Sequence, residues 1–217
     1  MLNEKLPDYI VVEGPIGVGK TSLATRLAED SGADLLLERA EENPFLERFY
    51  QNPEQAGLPT QLHFLFQRIK QLEHFRQDDL FRTGMVADFM FEKDRLFAQT
   101  ILDDDELHLY DQVTTNLDVR FRVPDLVIYL QAPLDVLLTR IHKRHRKIES
   151  QLEPAYLQRL VDGYTEFFYH YAEAPLLIVN ASVIDLVGNE NDYQALVEQI
   201  PQAKSGRHYF NPLPIAL

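Results

Sequence analysis

Short, mostly apolar runs punctuate the chain at 10–12 (IVV), 33–37 (ADLLL), 85–87 (MVA), 125–130 (DLVIYL) and 175–179 (PLLIV). Runs of this length without polar alternation predict strands covered on both faces. Between them apolar residues recur every three or four positions, which predicts helices over 21–29, 61–81, 91–102, 106–122, 133–147, 156–171 and 193–200. Leu62, Leu65, Ile69 and Leu72 make one such stripe. Ser31-Gly32 closes the first helix and Val123-Pro124 the fourth. Pro44, Pro53 and Pro59 are expected to cut 38–59 into a short helix and loops. Residues 180–192 are turn-rich, and 201–217 form a tail with no usable period. Strands alternating with helices predict an α/β fold, a doubly wound five-stranded parallel sheet flanked by helices. No repeat or linker is visible, so one domain over 1–217 is expected.

The first strand runs straight into GPIGVGKT. Gly14, Gly19, Lys20 and Thr21 fit the spacing G-x-x-x-x-G-K-[ST] of a P-loop between strand and helix. Glycines there let successive N–H groups of Gly14, Pro15, Ile16, Gly17, Val18, Gly19, Lys20, Thr21 and Ser22 (proline excepted) curl around phosphate oxygens, and the helix N-terminus adds positive potential. Lys20 is expected on the β- and γ-phosphates and Thr21 on Mg²⁺. The pattern predicts an ATP site of P-loop NTPase type.

Composition narrows the partners. The chain has 217 residues, 45% apolar and 25% charged, with net charge −13 and no cysteine. That length suffices for one sizeable core. The acidity argues against a nucleic-acid polymer or an anionic membrane, and the missing cysteines exclude thiolate metal sites and thiol nucleophiles. MLNEKLPDY lacks the plan of a signal peptide, and no apolar run nears the ~20 residues of a membrane span. A cytoplasmic protein is expected.

In parallel sheets ligands bind beyond the carboxyl ends of strands. There this chain places Glu13, Glu38 and Asp88 around the P-loop. Phosphoryl transfer to an alcohol needs a group to take the hydroxyl proton; Glu38 is the candidate base, or else a solvated strand-end carboxylate, with Glu41 and Glu42 as neighbours that compete for the role. Asp88 is placed to hold Mg²⁺, or to cap the helix that follows. Arg140, Arg144 and Arg146, with Lys143 and Lys147, form a basic cluster out of character with the charge of −13. It reads as a lid that closes on phosphates, or as a solvated helix end, or as a nucleic-acid patch, against which stand its shortness and lack of interleaved aromatics. Gln61 and Arg68 share a helix face ~10 Å apart along the axis, a spacing that suits a planar polar ligand, though such a pair taken alone is more often a solvated face.

Taken together these motifs resemble the deoxynucleoside kinase family, particularly its bacterial purine branch, over residues 9 to 180. NPFLERFYQNPE followed by QLHFLFQRIKQ is similar to the nucleoside-binding region. The resemblance implies Tyr50 on the 3′-hydroxyl, Gln61 and Arg68 on the base, and Glu38 as general base toward the 5′-hydroxyl. ADFMFEKDRLFA is similar to the segment after strand three, implying Asp88 as the metal-side acid and Asp94 as a base-reading carboxylate. RIHKRHRKIESQLEPAYL resembles the arginine lid, with Arg140, Arg144 and Arg146 on ATP phosphates and Glu149 on the 3′-hydroxyl. The family's fold is a five-stranded parallel sheet, usually dimeric through a helix bundle.

This chain departs from the pattern in places. The family's arginine after the strand-three acid is Phe89, with Lys93 or Arg95 one turn on as substitutes, and the proline after the general base is Arg39. Phe64 and Phe97 are the aromatics available near the base. The expectation is an ATP- and Mg²⁺-dependent kinase acting on the 5′-hydroxyl of a deoxynucleoside, most simply a purine with deoxycytidine left open, as a homodimer. A thymidylate-type monophosphate kinase and a P-loop switch or ATPase are the rival readings.

Overall fold

Buried at every position, Tyr9–Glu13 (β1) is the central strand, flanked on both sides as its unbroken apolar run requires. The computed structural model describes residues 6–77, 84–117, 121–144, 146 and 149–212. After β1 come α1 (Lys20–Ser31), β2 (Asp34–Leu36), α2 (Leu46–Gln51), α3 (Pro53–Gln77), β3 (Met85–Ala87), α4 (Lys93–Ile101) and α5 (Asp104–Thr115). Then follow β4 (Leu126–Gln131), α6 (Leu134–Lys143), α7 (Pro154–His170), β5 (Leu176–Asn180), α8 (Glu190–Val197) and β6 (Arg207–Phe210).

Among the described residues the strands form one parallel sheet in the order β2-β3-β1-β4-β5-β6. Val11 sits opposite Ala87 on one side and Val127 on the other. The chain therefore leaves β1 toward β2 and β3 on one side and returns to β4 on the other, which opens a crevice at the carboxyl edge of β1.

Helices cover both faces. α1 buries Leu23, Ala24, Leu27 and Ala28, two adjacent pairs four residues apart, and ends at Gly32 in the left-handed conformation. α7 buries Tyr156, Leu157, Leu160, Tyr164 and Phe168, and stacks Phe168 on Tyr129 of β4 with centroids 4.1 Å apart. Such aromatic pairs add about 1 kcal/mol beyond the area they bury.

Three expectations need correction. The sheet has six strands rather than five, because 207–210 in the tail pairs with β5, Leu176 opposite Arg207 and Val179 opposite Phe210. β6 is an edge strand without a fully buried residue, so it carries no apolar run to recognise. Second, Pro53 starts a helix, as suits the first turn, but Pro59 lies inside it. Packing overrides propensity here: Gly57 lies so close to α4 that an added Cβ would come within 2.9 Å of the Ile101 Cγ2. The predicted extension of this helix to Phe81 lies outside the described residues. Third, α5 stops at Thr115 instead of 122, and starts two residues early, where Asp103 accepts the Glu106 N–H at 2.9 Å as N-cap.

Candidate functional site

The P-loop lies in the crevice at the end of β1. Gly14 (φ 144°) and Gly17 (φ 87°) adopt backbone that L side chains avoid. A Cβ on Gly14 would sit 2.4 Å from the Leu130 carbonyl oxygen, and one on Gly17 2.7 Å from the Ile141 Cγ1. Val18 is buried, and its N–H donates to the Pro15 carbonyl at 3.3 Å. Ile16 packs on the core, and Gly19 stands at the N-cap of α1 with Lys20, Thr21 and Ser22 opening the helix. The Lys20 ammonium folds back over the loop, donating to the carbonyls of Gly14 (2.7 Å) and Pro15 (3.2 Å). Its pKa is held below the usual lysine range, first by burial and then by the Lys93 charge nearby.

Asp88 joins the two sides of the crevice. Its Oδ2 accepts the Thr21 hydroxyl at 2.6 Å, and its Oδ1 accepts the Glu38 N–H at 2.7 Å. It does not cap α4, whose N-cap position is Glu92. Thr21 and Asp88 thus present hard oxygens beside the phosphate loop, the donor chemistry that Mg²⁺ takes. Among the described residues no group of three or more His, Cys, Asp or Glu could hold a metal by itself. An ion here would complete its shell with phosphate oxygens and water.

Glu38 joins Arg68 to Lys93 on the far side of Asp88. Its Oε1 accepts from Arg68 Nε (2.8 Å) and Nη2 (2.6 Å), and its Oε2 from Lys93 Nζ (3.0 Å). Burial alone would raise this carboxyl, but the charges of Lys93 and then Arg68 hold its pKa down to about 2. The other face of Arg68 pairs with Asp94 Oδ1, while Tyr110 donates to Asp94 Oδ2. Gln61 Nε2 donates to the Asp94 carbonyl at 2.8 Å, and its Oε1 is buried without a partner. Phe64 and Phe97 stand against the Arg68 guanidinium, centroids 5.0 and 6.0 Å away. The Tyr50 hydroxyl is pushed up by burial and then by the neighbouring carboxylates of Glu149 and Glu38. Glu149 Oε2 is buried without a partner.

The basic cluster divides. Arg140 spends its donors on backbone: Nη1 on the Val18 carbonyl (3.2 Å), Nη2 on those of Ala181 (2.7 Å) and Ile184 (3.2 Å). It braces the P-loop against the segment after β5. Arg144 and Arg146 are exposed at the end of α6 and beyond, with Arg146 Nη1 3.6 Å from Glu149 Oε1. Lys147 lies outside the described residues.

Two participants carried a weaker signal in the sequence. Glu13, a strand-end acid, is fully buried; its Oε2 accepts the Gly14 N–H and the Tyr164 hydroxyl, both at 3.0 Å, and its Oε1 the Met90 N–H at 3.0 Å. Lys93 is buried beside it at 3.6 Å, whereas Arg95 is exposed and paired with Asp111. Lys93 lies three and four residues before Leu96 and Phe97, so a charge on an apolar helix face was the visible sign. Tyr110, a buried hydroxyl on α5, had no such sign.

A profile of the family described as "Deoxynucleoside kinase" matches residues 10–204. The chain is 33% identical over 200 residues to a deoxyguanosine kinase of Bacillus subtilis, covering 89% of this chain and 96% of that protein. It is 30% identical over 201 residues to the deoxyadenosine/deoxycytidine kinase of the same organism, covering 88% and 90%. The fold superposes on a deoxyadenosine kinase from M. mycoides solved with the products dCMP and dCDP, with a TM-score of 0.78 at 23% identity, over 89% of this chain and 98% of that one.

Proposed function

Because this chain belongs to the deoxynucleoside kinase family, we propose that it transfers the γ-phosphoryl group of ATP to the 5′-hydroxyl of a purine deoxynucleoside, in nucleotide salvage. The purine preference is supported by the deoxyguanosine kinase among its relatives and by the polar set of Gln61, Arg68 and Asp94. The observation that carries the reading is that Glu38 stands between the phosphate side and the base side, tied to Asp88 through its N–H and to Arg68 through its carboxylate.

In this reading the P-loop N–H groups and Lys20 hold the triphosphate, which requires Lys20 to exchange its loop carbonyls for phosphate oxygens. Arg144 and Arg146 reach the phosphates from the lid, and Arg140 holds the loop in shape beneath them. Gln61, with its free Oε1, and the Arg68–Asp94 pair orient the base; Tyr50 and Glu149 take the 3′-hydroxyl. Glu38 then accepts the 5′-hydroxyl proton as that oxygen attacks the γ-phosphorus in line with the leaving ADP. Thr21 and Asp88 would hold Mg²⁺, which supplies positive charge at the transferring phosphate. A homodimer, a cytoplasmic location and one domain over 1–217 belong to the same reading, supported by the family resemblance. Among the described residues no helix is long and apolar enough to cross a membrane.

The test is transfer of label from γ-labelled ATP with Mg²⁺ to deoxyadenosine, deoxyguanosine, deoxycytidine, thymidine and thymidylate. Product from a purine deoxynucleoside, abolished in Glu38→Gln with ATP binding retained, is expected. Transfer to thymidylate alone would make this a monophosphate kinase. ATP hydrolysis without transfer to any acceptor would point to a switch or ATPase.

A further inference from the structure

Glu38 offers two carboxylate oxygens, and they are held in different ways. Oε1 takes two donors from Arg68, at 2.8 and 2.6 Å. Arg68 is itself locked from behind by its ion pair with Asp94. Oε2 takes a single donor, the Lys93 ammonium at 3.0 Å. Oε1 cannot be vacated without breaking the base-side network; Oε2 can.

Lys93 is built to leave. An ammonium is a compact charge on a flexible stem, unlike the planar fork of arginine. A second acceptor waits at Glu13 Oε1, 3.6 Å away. Glu13 is immobile, because Gly14, Met90 and Tyr164 all donate to it. A buried ammonium without a partner is strongly disfavoured, so a lysine between two carboxylates can give up one only where the other receives it. Phe89 and Phe97 face the ammonium with centroids 5.8 and 5.9 Å away.

Resting on the kinase reading above, we infer that Oε2 is the proton-accepting oxygen of Glu38 and that Lys93 is the positioning residue that guards it, moving from Glu38 to Glu13 as the acceptor hydroxyl arrives. The hydroxyl hydrogen then passes to Oε2 while its oxygen bonds to the γ-phosphorus. The bond from that phosphorus to the bridging oxygen breaks with its electron pair left on ADP. Arg68 keeps Oε1 throughout, so the carboxylate does not turn.

The test compares Lys93→Met and Lys93→Arg with the unaltered protein, reading kcat and KM for ATP and for a purine deoxynucleoside, with active sites counted by ATP binding. Loss of the positioning charge should lower kcat about 100-fold with both KM values within about threefold, and arginine, which keeps the charge but grips Oε2 with a planar fork, should recover no more than about tenfold of that loss. Where the methionine variant does not fold, Lys93→Gln, which keeps a donor for either carboxylate, is read in its place. A folded neutral variant with unchanged kcat per active site would overturn the inference. So would a loss confined to the KM for ATP, to the melting temperature or to the fraction of active protein, which is what a merely structural lysine would show. Absence of transfer by the unaltered protein would instead count against the kinase reading itself.

Discussion

Arg68 donates to Glu38 through both Nε and Nη2, at 2.8 and 2.6 Å, while its remaining arm pairs with Asp94. The residue proposed to read the base therefore also orients the residue proposed to take the proton. Binding of the correct base and alignment of the carboxylate become one event. Arg68→Lys keeps the charge but supplies one point where three donors are used. It should lower kcat/KM for the deoxynucleoside by about 100-fold with the KM for ATP unchanged. Arg68→Met leaves two carboxylates without their buried partner and should cost about 3–5 kcal/mol of stability in urea unfolding.

The depressed pKa of Glu38 fixes the direction of an acid effect. With its folded value near 2 and its ordinary value at 4.5, the unfolded chain binds the proton more readily. Stability from this group is complete above pH 4.5 and drains away as pH falls toward 2. The amount at stake is on the order of 3 kcal/mol. Unfolding free energies measured between pH 5 and pH 3 should therefore fall less steeply in Glu38→Gln than in the unaltered protein.

Gly14 has no tolerance for a side chain. The added methyl of Gly14→Ala would meet the Leu130 carbonyl at 2.4 Å on backbone already at φ 144°. The fixed atom is backbone, so the loop must yield. Calorimetric titration should show ATP affinity reduced by at least about tenfold, with unfolding still cooperative.

The sheet centre and the phosphate loop were legible because each has a local signature. β1 and β4 are apolar runs, and the loop has fixed spacings. β6 was not legible: an edge strand with exposed Arg207 and Tyr209 needs only to pair with β5, which leaves no pattern. Pro59 misled because a helix breaker is outvoted where a helix is pressed against α4. The candidate site residues stood out as types and spacings, but their partners did not. Nothing local in the chain says that Arg140 spends its donors on three carbonyls, or that Lys93 rather than Arg95 turns inward. Those outcomes depend on contacts between segments far apart in sequence.

Asp88 and Thr21 test the metal reading. Asp88→Asn keeps its one oxygen for the Glu38 N–H and turns its amide toward the Thr21 hydroxyl, which can accept instead of donating, so the fold should tolerate it, but it removes the negative charge beside the phosphate loop. The Mg²⁺ concentration for half-maximal activity should rise about tenfold or more, and excess Mg²⁺ should recover part of the rate. Asp88→Asn with an unchanged Mg²⁺ requirement would place the ion on other oxygens.

Tyr110 extends the network proposed to read the base one residue further than the sequence motifs reach. Its hydroxyl donates to the one Asp94 oxygen that Arg68 leaves open, and burial first of all pushes its pKa up to about 12, so it stays a donor at neutral pH. Without it Asp94 keeps its ion pair through Oδ1, and its Oδ2 becomes free to accept from a ligand. Tyr110→Phe should fold, losing about 1 kcal/mol. The informative change is in selectivity: the ratio of kcat/KM between purine deoxynucleosides and deoxycytidine should shift by about fivefold or more, because an oxygen formerly occupied now rewards a different pattern of donors. Competition between labelled deoxyguanosine and deoxycytidine in one reaction measures that ratio directly. An unchanged ratio would mean that Tyr110 supports Asp94 without shaping what it reads.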